Sequence, residues 1–167
     1  CVRLVGSEMC IRDRCGALEF AEKISKSGTQ PIIGTQINFK LNDTTGLLPL
    51  FALNETGYKN IIELSSNSYL ENDELSDPHV NFDELLKSSD GVSVFSGTVL
   101  GLFGKLFDKG KFAEINEISL KLKECYGDRF YIEIQRHGDQ NEKEFEKFNL
   151  INSQKLEIPI IATNEVY

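Results

Sequence analysis

His137 is the residue in this sequence best placed to do chemistry. It closes the run Phe130-Tyr131-Ile132-Glu133-Ile134-Gln135-Arg136-His137-Gly138, which opens apolar and ends polar. That pattern reads as a β-strand leaving a core for a charged rim. In a β/α barrel His137 would lie at the carboxyl end of its strand, where such folds place reactive groups. Imidazole can ligate a metal or carry a proton. A lone strand-end histidine is more often structural, so partners have to converge on it.

The other candidates are few. His79 sits in a polar loop and reads as solvated. Glu133 and Glu165 fall on different strands and could pair as carboxylates, but the alternation of Glu133 with Ile132 and Ile134 predicts that it points outward. Gly97, Gly101 and Gly104 match neither G-x-G-x-x-G nor G-x-x-x-x-G-K-[ST]. The stretch from Gly101 to Lys105 is too apolar to cradle phosphate and reads as helix packing. With 2 histidines, no Ser-His-Asp or Cys-His arrangement can be drawn. The 4 cysteines, at 1, 10, 15 and 125, lack C-x-x-C spacing and read as reduced thiols of a cytoplasmic protein.

The elements that would carry these residues alternate. A helix is predicted over Gly16–Ser27, ended by Gly28. A strand over Gln30–Phe39 leads through a turn at Asn42–Gly46 to an apolar strand over Leu47–Leu53. Asn54 caps a long helix with Tyr58, Ile61, Ile62, Ser65 and Tyr69 inward. After an acidic loop come a short helix over Phe82–Ser88 and a strand over Gly91–Gly97. Two apolar stripes follow, Leu102, Phe103, Leu106 and Phe107, then Phe112, Ile115, Ile118, Leu122 and Cys125. Beyond the His137 strand lie a charged helix with Phe145, Phe148 and Ile151 inward and a fifth strand over Ile158–Asn164. Apolar strands alternating with helices predict a mostly parallel α/β sheet.

The chain of 167 residues can bury one core. It has no apolar run near the roughly 20 residues of a membrane span. A net charge of −8 makes it a poor grip for phosphate backbone by itself. Residues 1–14 differ in kind, holding three Arg and the only Met, without the apolar core of a signal peptide. They are read as a non-native leader, leaving 15–167 as the domain. The leader's three Arg face Glu8 and Asp13, so removing it moves the charge from −8 to −9. The acidity therefore belongs to the domain. Both ends look cut.

Six stretches in order carry a resemblance: Gly16-Ala-Leu-Glu-Phe20, Pro31-Ile-Ile-Gly34, Asn54-Glu-Thr-Gly-Tyr-Lys-Asn60, Gly91-Val-Ser-Val-Phe-Ser-Gly97, Gly127 to Gly138, and Pro159-Ile-Ile-Ala-Thr-Asn164. Together they resemble the N-terminal PHP (polymerase and histidinol phosphatase) domain of the alpha subunit of bacterial DNA polymerase III. The resemblance implies a TIM-like barrel of seven β/α units, here incomplete. It also implies, where the site is intact, strand-end His, Asp, Glu and Cys ligands holding zinc or manganese, which activate water and neutralise phosphate.

Carried over residue by residue, that site is mostly lost. The family's acidic residue two after Ile-Gly falls on Gln36, and its Cys after Ser-Gly falls on Thr98. His137 is kept, the Asp of Thr-Asn-Asp falls on Glu165, and the His two residues later falls on Tyr167. Gln and Thr bring no charge to hold divalent cations. The resemblance thus implies a fragment of the replicative polymerase's catalytic subunit, whose PHP portion is a scaffold with vestigial metal positions, no metal or catalytic residue of its own, and no cofactor. Polymerisation with magnesium would belong to palm-domain carboxylates of the parent. Partners would be the remaining polymerase domains and a proofreading exonuclease subunit, with DNA met only through the parent, in the bacterial cytoplasm and with no membrane. The alternative is a metal-dependent phosphoesterase or 3′–5′ proofreading exonuclease in this domain.

A foreign leader predicts that the source gene departs from this sequence before codon 15. Resequencing the locus checks it, and an unbroken native frame through that codon would refute it.

Overall fold

The computed structural model describes residues 17–70 and 77–164. Its elements in chain order are α1 (Ala17–Lys26), β1 (Ile33–Leu41), β2 (Thr44–Ala52), α2 (Glu55–Leu70), β3 (Val80–Asn81), α3 (Phe82–Lys87), β4 (Val92–Phe95), α4 (Leu102–Asp108), α5 (Phe112–Tyr126), β5 (Phe130–Ile134), α6 (Glu142–Leu156) and β6 (Ile160–Ala162). Six strands form one sheet in the order β3-β1-β2-β4-β5-β6. This is a mixed α/β layer with helices against it.

The helix ends follow their predicted signals. Thr29 N–H bonds Ile24 O and Gly28 N–H bonds Ser25 O, with Gly28 at φ 77°. This left-handed glycine closure satisfies the last carbonyls of α1. Gly110, at φ 68°, ends α4 in the same way. The Asn54 side chain accepts the Gly57 N–H at 2.9 Å, capping α2.

The expectation of parallel pairing holds for three of the five strand pairs and fails for two. β1 and β2 pair antiparallel from Ile33↔Ala52 to Leu41↔Thr44, and β2 pairs antiparallel with β4. The reason is the link: Asn42 and Asp43 alone join β1 to β2, and a parallel crossover needs a dozen residues or more. Asn42 takes φ 51°, a conformation Asn tolerates. Parallel pairing holds for β1–β3, β4–β5 and β5–β6. Among the described residues the sheet stays open, with β3 and β6 at its edges, so no closed barrel is formed there.

Burial also corrects three helix faces. In α2 the inward residues are Gly57, Ile61, Leu64, Ser65 and Ser68, while Tyr69 is 57% exposed. The cause is a close approach: a Cβ on Gly57 would lie 1.8 Å from the Gly91 carbonyl oxygen. Backbone contact at Gly57 therefore sets the rotation of the whole helix. In α5 the last inner place goes to Tyr126, and Cys125 is exposed. In α6 Phe145 is buried but Ile151 is 67% exposed, because polar Asn149, Asn152 and Ser153 take the inner face.

β4 is buried on both faces, and its neighbours satisfy its polar groups. Ser93 Oγ donates to Arg129 O at 2.8 Å, and Ser96 Oγ accepts the Glu133 N–H at 2.9 Å. At the entry to β5, the Arg129 guanidinium donates to Ser89 O and Val92 O and lies over the Tyr126 ring. The Tyr126 hydroxyl donates to Leu85 O at 2.7 Å, and burial pushes its pKa far up, so it remains a donor.

Replacing Gly57 with Ala should therefore destabilise the fold by about 1–3 kcal/mol, despite the better helix propensity of Ala. The urea midpoint checks this, and an unchanged or raised midpoint would show that α2 can shift away from Gly91.

Candidate functional site

The parallel pairing of β4, β5 and β6 puts their carboxyl ends on one rim. Val94↔Phe130 and Phe95↔Tyr131 fix the first pair, and Ile134↔Ala162 fixes the second. Beyond these ends come Thr98, Gln135 to His137, and Thr163. Thr98 and His137 line one open cleft, together with Glu133, Asp139, Glu142, Glu146 and Asn149. Two of the five sequence-predicted positions thus meet. Gln36, fourth residue of β1, sits opposite Pro49 and lines a different cleft with Asn38, Ser65 and Ser68. Glu165 and Tyr167 lie outside the described residues.

Glu133, Glu142 and Glu146 each have protein partners, and Asp139 is a fourth acid lining the cleft. Glu133, expected to point outward, is only 4% exposed. Its Oε1 accepts the Thr163 hydroxyl in a short bond and the Gln135 amide N–H at 3.0 Å. The expectation failed because β5 is covered on both faces near its end. Glu142, at the start of α6, accepts the His137 N–H at 2.7 Å and the Gly138 N–H at 2.8 Å. Those two backbone donors hold its carboxyl below the ordinary carboxylate range. Glu146 takes the Arg136 guanidinium through both oxygens, at 2.7 and 3.1 Å, which lowers its pKa and raises that of Arg136. Because Arg136 is largely exposed, this fork adds little to stability.

His137 is exposed, and its Nε2 meets Gln135 Oε1 at 3.0 Å. Asn149 Nδ2 donates to the Glu133 carbonyl at 3.4 Å. Among the described residues no three His, Cys, Asp or Glu side chains group as metal ligands. His79, expected to be solvated, is half-buried, and its Nδ1 lies 2.8 Å from Asp77 O. Gly104 does serve packing: a Cβ there would lie 2.0 Å from Val99 O.

Sequence reasoning missed Glu142 and Thr163 as parts of this rim and placed Gln135 there only as the polar end of its strand. Glu133 alone carried a signal, as an acid inside an otherwise apolar strand. Glu142 follows the Gly138 turn closely enough to fold back on it, but nothing in its sequence neighbourhood marks that.

The chain matches the PHP domain family over residues 3–137, a span that begins inside the stretch set aside as a leader. It is 35% identical over 164 residues to the DNA polymerase III subunit alpha of Rickettsia bellii, covering 95% of this chain and 14% of that relative. It is 36% identical over 166 residues to the Caulobacter vibrioides subunit, covering 91% of this chain and 14% of that protein. The Haemophilus influenzae subunit is 33% identical over 156 residues, covering 91% of this chain and 13% of that relative. The chain thus spans about one seventh of the length of these relatives.

Glu142 generates a pH dependence of stability. A carboxylate whose folded value lies below its ordinary one, 4.5, stabilises the fold above that value. The contribution disappears as pH falls through the lowered folded value. The stability gap between wild type and Glu142→Gln should be open at neutral pH and close in acid below about 4.5. Thermal denaturation across pH measures it, and a gap of constant size would assign the loss to packing.

Proposed function

We propose, because the chain belongs to the PHP domain family, that it forms part of the catalytic alpha subunit of a bacterial replicative DNA polymerase and serves there as a scaffold. The names of its relatives and their coverage of this chain support the parentage. In this reading, β/α units of the parent extend the sheet beyond β6 and close a seven-unit barrel. An open parallel edge, with Ile160 on it exposed, is consistent with such an extension.

The observation that carries the scaffold reading is how the rim spends three of its four carboxylates, Asp139 being the fourth. Glu133 is taken by Thr163 and Gln135, Glu142 by two backbone N–H groups, and Glu146 by Arg136. Thr98 beside His137 adds a neutral hydroxyl, and Gln36 lies in another cleft. A centre of two or three divalent cations needs several anionic ligands aimed at one point. The described donors do not fit one. The vestigial set is therefore Gln36, Thr98 and His137, with Glu165 and Tyr167 beyond the described residues.

The parent's nucleotidyl transfer, its magnesium and its DNA contacts belong to other domains of the polymerase. Those domains are the partners of this one, and a proofreading exonuclease subunit is a further candidate for docking on it. The setting is the bacterial cytoplasm; among the described residues no helix is long and apolar enough to cross a membrane.

Metal analysis of the full-length native polymerase tests the reading. Zinc and manganese should stay well below one per chain after dialysis, and His137→Ala should leave any 3′–5′ nuclease activity unchanged. Stoichiometric metal, with nuclease activity lost in His137→Ala, would establish a working phosphoesterase site instead.

A further inference from the structure

The hydrogen bonds behind His137 determine where its ring proton sits. Glu133 Oε1 accepts the Thr163 hydroxyl hydrogen and one Gln135 amide hydrogen at 3.0 Å. Thr163 has spent its one hydrogen, so its oxygen accepts from Gln135 Nε2 at 2.8 Å. The Gln135 amide nitrogen thus faces two acceptors, Glu133 Oε1 and Thr163 Oγ1. The orientation of the amide is therefore fixed by its neighbours. Its oxygen is left facing His137 Nε2 at 3.0 Å. An amide oxygen only accepts, so Nε2 must carry a hydrogen. His79 is arranged the other way: its Nδ1 faces the Asp77 carbonyl at 2.8 Å, which requires the hydrogen on Nδ1.

We propose that Glu133 is a positioning residue that acts through the Gln135 amide to hold His137 in its Nε2–H form. Nδ1 is then the one ring nitrogen with a lone pair to offer a hydrogen-bond donor or a borderline cation. Ligating histidines commonly give their other ring N–H to a carbonyl or carboxylate, which orients the ring and fixes its tautomer. The Glu133–Gln135 pair supplies that outer partner here, although Thr98 and Gln36 supply no charge alongside. The inference stands on these hydrogen bonds alone and holds whether or not the domain belongs to a polymerase.

Histidine labelling gives a direct readout, because the full chain contains only 2 histidines. Long-range proton–nitrogen correlations on the 15N-histidine-labelled chain, at alkaline pH where both rings are neutral, should show opposite patterns. His137 should carry its hydrogen on Nε2 and His79 on Nδ1. Glu133→Gln keeps an acceptor for Gln135 and should retain the His137 pattern. Glu133→Leu and Gln135→Leu should move its two nitrogen shifts toward each other as the tautomers exchange, with His79 unchanged. Averaged shifts or an Nδ1 hydrogen for His137 in the wild type would overturn the proposal. So would an unchanged pattern in both leucine variants. Should Glu133→Leu fail to fold, Gln135→Leu, on the half-buried rim, decides the same point.

Discussion

A carboxylate taken out of water must find donors or cost several kcal/mol. Glu133 is such a group, buried near the end of β5 with Thr163 and Gln135 on its oxygen. Each of its bonds ties a different segment. Thr163 holds the end of β6, Gln135 holds the loop leaving β5, and Asn149 of α6 reaches the Glu133 carbonyl from the helix side. The Glu133 N–H in turn bonds Ser96 beyond β4. One residue therefore links three strand ends and a helix. Asn149 on the polar inner face of α6 follows from this constraint, answering a strand carbonyl at 3.4 Å, while Ser153 closes on Ile158 O ahead of β6 at 2.6 Å. Apolar residues at those positions would leave these two carbonyls unanswered.

That requirement also explains what the sequence could and could not tell. Signals that act locally were legible. Gly28, Gly110 and Asn54 each work through a few neighbouring backbone groups, and each sits where its residue type predicts. The strands were legible as apolar runs, and so was Gly104 as a packing residue. The direction of β2 was misread because attention to alternation hid a simpler limit, the two-residue reach of Asn42–Asp43. Helix rotation was misread at Tyr69 and Ile151 because apolar spacing fixes a face only to within a residue or so. The deciding contacts, Gly57 on Gly91 and Asn149 on Glu133, join segments 34 and 16 residues apart.

The candidate site divides in the same way. That Thr98 and His137 share a rim was readable, since both follow strands of one alternating series. Parallel pairing of β4 and β5 turns that sequence equivalence into proximity. Gln36 lies inside β1, which the intervening β2 separates from β4, and it faces another cleft. The hydrogen-bond partners were not readable, because no spacing rule brings Glu142 back onto the His137 and Gly138 amides.

A multi-metal site gathers carboxylates whose mutual repulsion the cations cancel. Without enough ligands to hold cations, the same acids have to be neutralised by the protein or moved apart. Here a guanidinium, two backbone N–H groups, an amide and a hydroxyl do that work. Each donor is supplied by the chain itself. The arrangement also limits what the rim can bind. An acid placed at position 98 would meet Glu133, Glu142 and Glu146, each committed to other partners, so a cation held by those three would require releasing some of their bonds. His137 keeps its place because its backbone N–H is held by Glu142 and its Nε2 by the Gln135 amide oxygen.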